Sequence, residues 1–524
     1  MKYLYTLATV FIIILVSSCR KDFSTSLSTG DLSFSQDTIF FNRVFDDISS
    51  STHQFTVKNN SDKAISIPSI SLERGTGSFY RLNVDGKSGK SFNDVTILAK
   101  DSIFVFAEVT VDFNQVTDVE FMYRDKILFD SGANEQKVEL EAQVLDVHLI
   151  RPDRQQVADG FEYEEIILGQ NDEGEDVGIR GTNLTENTTW SNDKPYLIYN
   201  YVGVPNGVTL TIEAGTKLHF HKNSGIIVQN GGKLLVNGIL STTDEMENQV
   251  VFQGDRLEDD FAEVAGQWGT IWLMEGSVNS EINYATIKNS TIGLLVDSDN
   301  STQTLSLNNT QIYNTSSFGI FARNAKLTAK NTVISNNGDS SFSVSLGGSY
   351  DLIHCTIADY WNSSNRQNPT LVLTDYFETD TALYVAKLDA NLTNCIIYGS
   401  QNREIALENK DEGTPFNFQF KNCLIKFNDA TNEFADNPLY NFENTSFYVN
   451  NIFNEEPIFF NTTYNFDDDI PLNLIIGDDS AANNQADTAV LTDVILQKDI
   501  LGVERSIGNS DIGAYQHITF PEEE

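Results

Sequence analysis

The residues best suited to chemistry crowd into one interval, between Ile357 and Ile397. It holds Asp359, Tyr360, Trp361, Arg366, Asp375, Tyr376 and Phe377. Exposed aromatic rings stack on sugar faces, while Asp and Arg bond hydroxyls, so Asp359, Tyr360, Trp361, Arg366 and Tyr376 make a candidate ligand platform. The competing assignment is a further coil, in which Leu371-Val372-Leu373 and Leu383-Tyr384-Val385 bury some of these rings. A second group is His219-Phe220-His221. Strand alternation would send Leu218 and Phe220 inward and both histidines outward, giving two metal ligands that lack a third. Polysaccharide hydrolysis needs two carboxylates at a set separation, but 74 acidic residues make any chosen pair uninformative. Lyase chemistry needs a base; Arg256, Lys288, Arg323, Lys326, Lys330, Arg366 and Arg403 stand in no lyase motif. Nucleophile elbow, phosphate loop and HExxH are likewise missing. No catalytic residue and no metal ligand is therefore assigned. Calcium is the one cofactor the acidic loops Asp172–Asp176 and Asp255–Glu263 could serve, although the first lacks the closing Glu of an EF-hand.

That interval interrupts a repeated six-residue phrase, apolar–x–Asn–(Thr or Cys)–x–Ile. It reads Leu307 to Ile312, Ala329 to Ile334, Leu352 to Ile357 (with His354 for Asn), Leu392 to Ile397 and Phe420 to Ile425, after a looser copy at Ile282 to Ile287. Successive copies lie 25, 22, 23, 40 and 28 residues apart. Such periods without helical patterning predict a solenoid whose coils stack into one core. Strand parity changes at the Asn, so a bend belongs there. Asn tolerates the left-handed conformation a tight bend needs, and stacked Asn side chains can bond along the axis. Cys355, Cys395 and Cys423 share one position with Thr310 and Thr332, which predicts a column of small buried groups rather than disulfides or a Cys₃ metal site.

Residues 1–18 have the form of a signal peptide: Lys2, then an apolar run from Leu7 to Val16 too short to span a bilayer. Val16-Ser17-Ser18-Cys19 resembles the processing site of bacterial lipoproteins. The resemblance implies a lipid on Cys19, a membrane held through that anchor, and a cell-envelope location as an outer-membrane lipoprotein, periplasmic or surface-exposed. The net charge of −40 disfavours nucleic acid and anionic lipid headgroups as partners. Polysaccharide or another surface protein stays compatible.

Residues 29–147, after a tether at 19–28, alternate as short strands: Phe55-Thr56-Val57, Ile65-Ser66-Ile67, Ile103 to Phe106 and Val138 to Ala142. Phe55 to Ser61 followed by Ile65 to Ile67 resembles the opening hairpin of bacterial immunoglobulin-like modules, implying a β-sandwich. Residues 148–194 read as an acidic linker and N-cap. From 195 to 450, Thr209 to Leu218, Gly231 to Gly238 and Gln267 to Trp272 resemble coils of right-handed parallel β-helix proteins. Glu456 to Asn461, Asp478 to Asn483 and Asp511 to Tyr515 resemble the closing segment (451–524) that covers the open end in such proteins, with Arg505 and Asp511 expected as an ion pair. The fold class expected is all-β: an immunoglobulin-like sandwich followed by a right-handed parallel β-helix. The function expected is a non-catalytic glycan-binding, adhesion or structural module, with a polysaccharide lyase or glycoside hydrolase as the alternative.

Overall fold

The computed structural model describes residues 24–116, 121–158, 160–171, 173–243, 246–299, 302–379, 381–411, 413–463 and 472–521. The signal segment and Cys19 lie outside the described residues. The chain divides into two compact units, 1–146 and 147–524. Among the described residues there is no α-helix, only strands and short 3₁₀ turns.

The first unit is two sheets around one apolar core. The larger sheet orders Ser26–Leu27, Ile65–Leu72, Met122–Phe129, Gln136–Leu145 and Thr38–Phe45, with Ser91–Ile97 also on Ile65–Leu72. The smaller orders Leu32–Phe34, His53–Asn59, Ser102–Val109, Tyr80–Val84 and Lys87–Gly89. Alternation sets the buried face: Val138, Leu140, Ala142 and Val144 point inward to Phe41, Phe55 and Tyr80, while Glu139 and Glu141 stay near water. The hairpin expected from Phe55 to Ile67 does not form. Its two strands belong to different sheets, because Asn59 turns the chain across the edge: its buried amide donates to the carbonyls of Lys63, Ile97 and Leu98, and its oxygen accepts from Ser61 N.

The second unit is a solenoid-like stack built from two long sheets. One has eleven strands in chain order, from His148–Ile150 through Tyr196–Ile198 to Ile452–Phe453, every neighbour parallel. The other has eighteen, and successive coils place two strands each in it. Ile320–Lys330 and Phe342–Ile353 run unbroken through the corner between those two positions. Side chains of all three strand positions meet in one continuous core from Trp190 to Tyr448. Residues 148–194 are not a solvated linker: His148–Ile150 starts the eleven-stranded sheet, and Asp176–Asn183 and Thr188–Trp190 pair with the first coils.

The repeated phrase is the corner between the sheets. Asn309, Asn331, His354, Asn394 and Asn422 have φ between 49° and 55°, the left-handed region that Asn enters most easily after glycine. Their side chains bond up the stack: Asn331 Nδ2 donates to Asn309 Oδ1 at 2.9 Å, and Asn394 Nδ2 lies 2.9 Å from His354 Nε2. The next residue explains why Thr and Cys interchange. Thr310 Oγ1 reaches Ile282 O, and Cys355, Cys395 and Cys423 Sγ reach Ala329, Leu352 and Leu392 O of the coil before. The position needs a small group that can donate to a carbonyl freed by the bend. The three thiols are buried and unbridged. A seventh copy, Tyr448-Val449-Asn450-Asn451-Ile452-Phe453, escapes the pattern because Asn and Phe replace Thr and Ile; it pairs in register with the sixth, and Asn450 has φ 53°.

The end of the stack is closed by an aromatic plug rather than by the closing segment. Phe427 stacks on Tyr440 at 4.9 Å, Phe418 on Phe447 at 4.5 Å, and Phe442 lies against Phe453 at 4.4 Å. Residues 472–516 instead form a strap along the flank. Leu474, Ile476, Ala482, Ile500, Ile512 and Ala514 cover Val333, Ala358, Ile396 and Leu424, the outward apolar row of the eleven-stranded sheet. Corner residues fasten it: His354 Nδ1 lies 3.2 Å from Gly513 O, Asn394 donates to Asp487 O, and Asn422 to Gln485 O. Arg505 does not pair with Asp511. Its guanidinium donates to Asn331 Oδ1 and to the carbonyls of Lys498, Gly513 and Ala514, while Asp511 holds His517 at 2.7 Å.

Asn331 combines both duties, donating also to Ile495 O and Lys498 O. Asn331→Ala is expected to cost about 3 kcal/mol, from the left-handed backbone and the orphaned partners. Asn331→Gly keeps the bend and should recover about 1 kcal/mol of that loss. Equilibrium denaturation measures the difference, with faster hydrogen exchange along 472–516 in both variants.

Candidate functional site

The 40-residue interval leaves the wall in two places. Leu371–Thr374 is an ordinary wall strand between Phe342–Ile353 and Ile405–Glu408. Tyr376–Glu378 and Leu383–Val385 form a small antiparallel hairpin that adds to neither long sheet. One triplet is thus wall and the other exposed hairpin.

The five predicted ligand residues do not come together. Asp359 and Arg366 are 0% and 6% exposed, sealed inside the corner with Glu404 at 0%. Arg366 clamps Glu404 through Nη1 at 2.9 Å and Nη2 at 2.6 Å, and its Nε lies 3.9 Å from Asp359. Asp359 accepts from Trp361 N, Asn337 N and Ser341 Oγ. These groups pin the loop; they are not offered to a ligand, because a lone charge there would be stranded in a dry site. Tyr360 turns toward the strap, edge-on to Phe459 at 6.1 Å. Half-buried Trp361 donates to Ser364 within its own loop. Tyr376 alone lies in the hairpin.

One arginine between two carboxyls leaves the sealed triad a negative charge in excess. Burial raises Asp359 from 3.8 to about 7, only partly offset by Arg366, and burial raises Glu404 too. A carboxyl whose folded pKa is raised contributes stability at low pH and loses it as pH climbs through that value.

The histidine pair is likewise divided. His219 is buried, its Nδ1 3.3 Å from Gly254 O. His221 bonds Asp255 at 2.7 Å and stacks on Tyr199. In the acidic loop, Glu258 is paired with Arg256, and Glu263 lies 3.7 Å from Lys288. Among the described residues, no three His, Cys, Asp or Glu side chains converge as metal ligands.

A different set does converge, on the outer face of the eighteen-stranded sheet. Trp272, Leu295 and Phe321 are register neighbours on three successive coils, each half-buried between inward residues. Beside them Asp297 and Arg323 are register neighbours too. Arg323 holds Asp297 by two bonds, at 2.6 and 2.8 Å, and Trp272 Nε1 donates to Asp297 at 2.8 Å. The hairpin leans onto this row: Ser345 Oγ donates to Tyr376 O, and the Arg323 guanidinium lies 5.6 Å from the Phe377 ring and 5.9 Å from that of Phe321. Phe318 stacks on Phe321 at 4.8 Å. Tyr376 is fixed by Glu408 at 2.7 Å, and that hydrogen bond pushes its phenol up to about 12. Tyr384, opposite Phe377 in the hairpin, is 53% exposed.

The result is an aromatic strip running along the stack, edged by a fixed ion pair. Its parity is written in the sequence, while its alignment across coils is masked by loops of unequal length. Leu294-Leu295-Val296-Asp297 and Ile320-Phe321-Ala322-Arg323 start 13 and 9 residues ahead of successive phrases, each with one residue of outward parity between two inward ones.

No protein-family model matches the chain, and no curated protein does. Among solved structures, the catalytic unit of a thermostable GH87 alpha-1,3-glucanase from Streptomyces thermodiastaticus is 10% identical. That match covers 71% of this chain and 79% of that one, with a TM-score of 0.28. A PapD-like domain of human CEP192 is 11% identical over 25% of this chain and 97% of its own, with a TM-score of 0.16. A family 123 glycoside hydrolase from Clostridium perfringens is 9% identical over 21% and 23%, with a TM-score of 0.15. The chain is an all-β protein with a solenoid-like body. Scores this low carry no activity across to it.

The triad yields a pH test. The stability lead of the wild type over Asp359→Asn is expected to shrink between about pH 4 and pH 8, by at most about 4 kcal/mol. Thermal unfolding at the two pH values reads it, and a constant gap would show that Asp359 is ionised throughout.

Proposed function

We propose that this is a lipid-anchored cell-envelope protein, attached through Cys19, that binds neutral polysaccharide without cleaving it. In this reading the first unit is an immunoglobulin-like spacer and the second a right-handed parallel β-helix. The observation that carries the binding role is the row Trp272–Leu295–Phe321 with Phe377 leaning over it. Half-buried rings in line with the stack offer repeated apolar faces to a chain of sugars, and each good stacking contact is worth about 1 kcal/mol. The Asp297–Arg323 pair supplies polar edges whose geometry is already fixed, so little ordering is needed on binding. A net charge of −40 repels acidic glycans, which selects neutral ones. Carboxylates beside the strip are engaged: Asp297 by Arg323 and Trp272, Glu408 by Tyr376, Glu378 by Lys410. That favours holding sugars over hydrolysing them.

The full chain in detergent, run through gels containing neutral glucans, galactans or mannans, is expected to be retarded by at least one. Trp272→Ala and Phe377→Ala should each weaken retention about tenfold, roughly 1.4 kcal/mol, while Trp361→Ala leaves it unchanged. Release of new reducing ends by the wild type would replace binding with hydrolysis. Labelled palmitate should enter the wild type and not Cys19→Ser.

A further inference from the structure

The opposite flank holds a cavity of about 250 Å³, between the outer face of the eleven-stranded sheet and the strap. Its floor includes Gln311, Tyr313 and Ser335; the strap contributes Tyr515 and Leu501, and the loop before Trp268 contributes Glu263. Tyr313 and Ser335 are register neighbours on adjacent coils, so their hydroxyls face the space side by side. The space equals roughly eight waters at about 30 Å³ each.

Three observations define what would fill it. Ser335 is only 3% exposed and Tyr313 is half-buried, and among the described residues no hydrogen bond within the protein engages either hydroxyl. Hydroxyls left this way are free to bond whatever occupies the cavity, water or ligand. Tyr515 already donates its hydroxyl to Gln311 Oε1 at 3.4 Å, and both residues line the same space. Burial and the nearby Glu263 carboxylate hold the Tyr313 phenol neutral, as a donor. Charge narrows the choice further. Glu263 repels anions, yet Lys288 at 3.7 Å and the Asn314 amide already answer its charge, so a cation adds little. An apolar molecule would leave the hydroxyls unpaired.

We infer that this cavity is a binding site for one neutral sugar ring or a polyol of similar size, separate from the aromatic strip on the other sheet. Leu501, 46% exposed, stands at its rim, and Leu501→Trp would obstruct entry without touching the core. The full chain in detergent is examined by saturation-transfer NMR against methyl glucosides, methyl galactoside, methyl mannoside, N-acetylglucosamine and myo-inositol, with choline as the cation arm. Transfer to at least one sugar or polyol is expected. It should fall at least tenfold in Tyr313→Phe and in Leu501→Trp, variants that keep the wild-type melting temperature, and persist in Trp272→Ala. Silence from every sugar and polyol would overturn the assignment, as would signals that survive both cavity variants. Transfer to choline alone would make the site a cation cage instead. Loss in Trp272→Ala but not in Tyr313→Phe would move the sugar to the strip.

Discussion

Everything in the solenoid depends on turning the same corner at the same place in each coil. Parallel strands stacked in register leave no freedom to turn early or late, since a slip of one residue would reverse every side chain. The corner therefore demands a residue at home with positive φ, followed by a small donor for the carbonyl the bend releases. Asn followed by Thr or Cys answers both needs. His354 shows that the backbone requirement outranks the side chain. It adopts φ 53° and replaces the amide with an imidazole, held neutral by burial, between Asn394 and Gly513 O.

The corner residues do more than bend the chain. Their side chains stand out from the wall in a ladder, and the strap lies on that ladder as well as on the apolar row beside it. Arg505 lies at the centre, buried, donating to four strap carbonyls and to Asn331. A buried guanidinium is tolerable because fixed dipoles surround it; the carboxylates of Asp499 and Asp511 act on it only from a distance. The strap in turn roofs the cavity over Tyr313 and Ser335. One local rule of backbone geometry thus reaches from the phrase to a docking ladder and then to a pocket beneath the strap.

What could be read in advance followed from how local the cause was. The bend, the Thr or Cys column and the stacked coils were legible because each is written within six residues and repeated. The fate of Asp359 and Arg366 was not, because Glu404, which draws Arg366 inward, lies 38 residues further on. His219 alternates with the inward Leu218 and Phe220 as parity requires, yet it too is buried. The strap was mistaken for an end cap because its apolar residues match a flank as well as an end. The aromatic strip is an intermediate case. Its parity was present in the sequence, but its side-by-side placement depends on coil register, which loops of unequal length conceal.

The strap also has a temporal meaning. Coils touch only their neighbours, so the stack can grow coil by coil as the chain appears, with little long-range searching. The strap instead joins residues 159 and 204 positions apart and has no surface to settle on until the ladder of corners is complete. Its docking is thus a final inspection of assembly: a stack with one coil out of register offers a broken ladder and an uncovered row. Until that moment the outward apolar face is bare, and a chain stalled there exposes Val333, Ile396 and Leu424 to its neighbours.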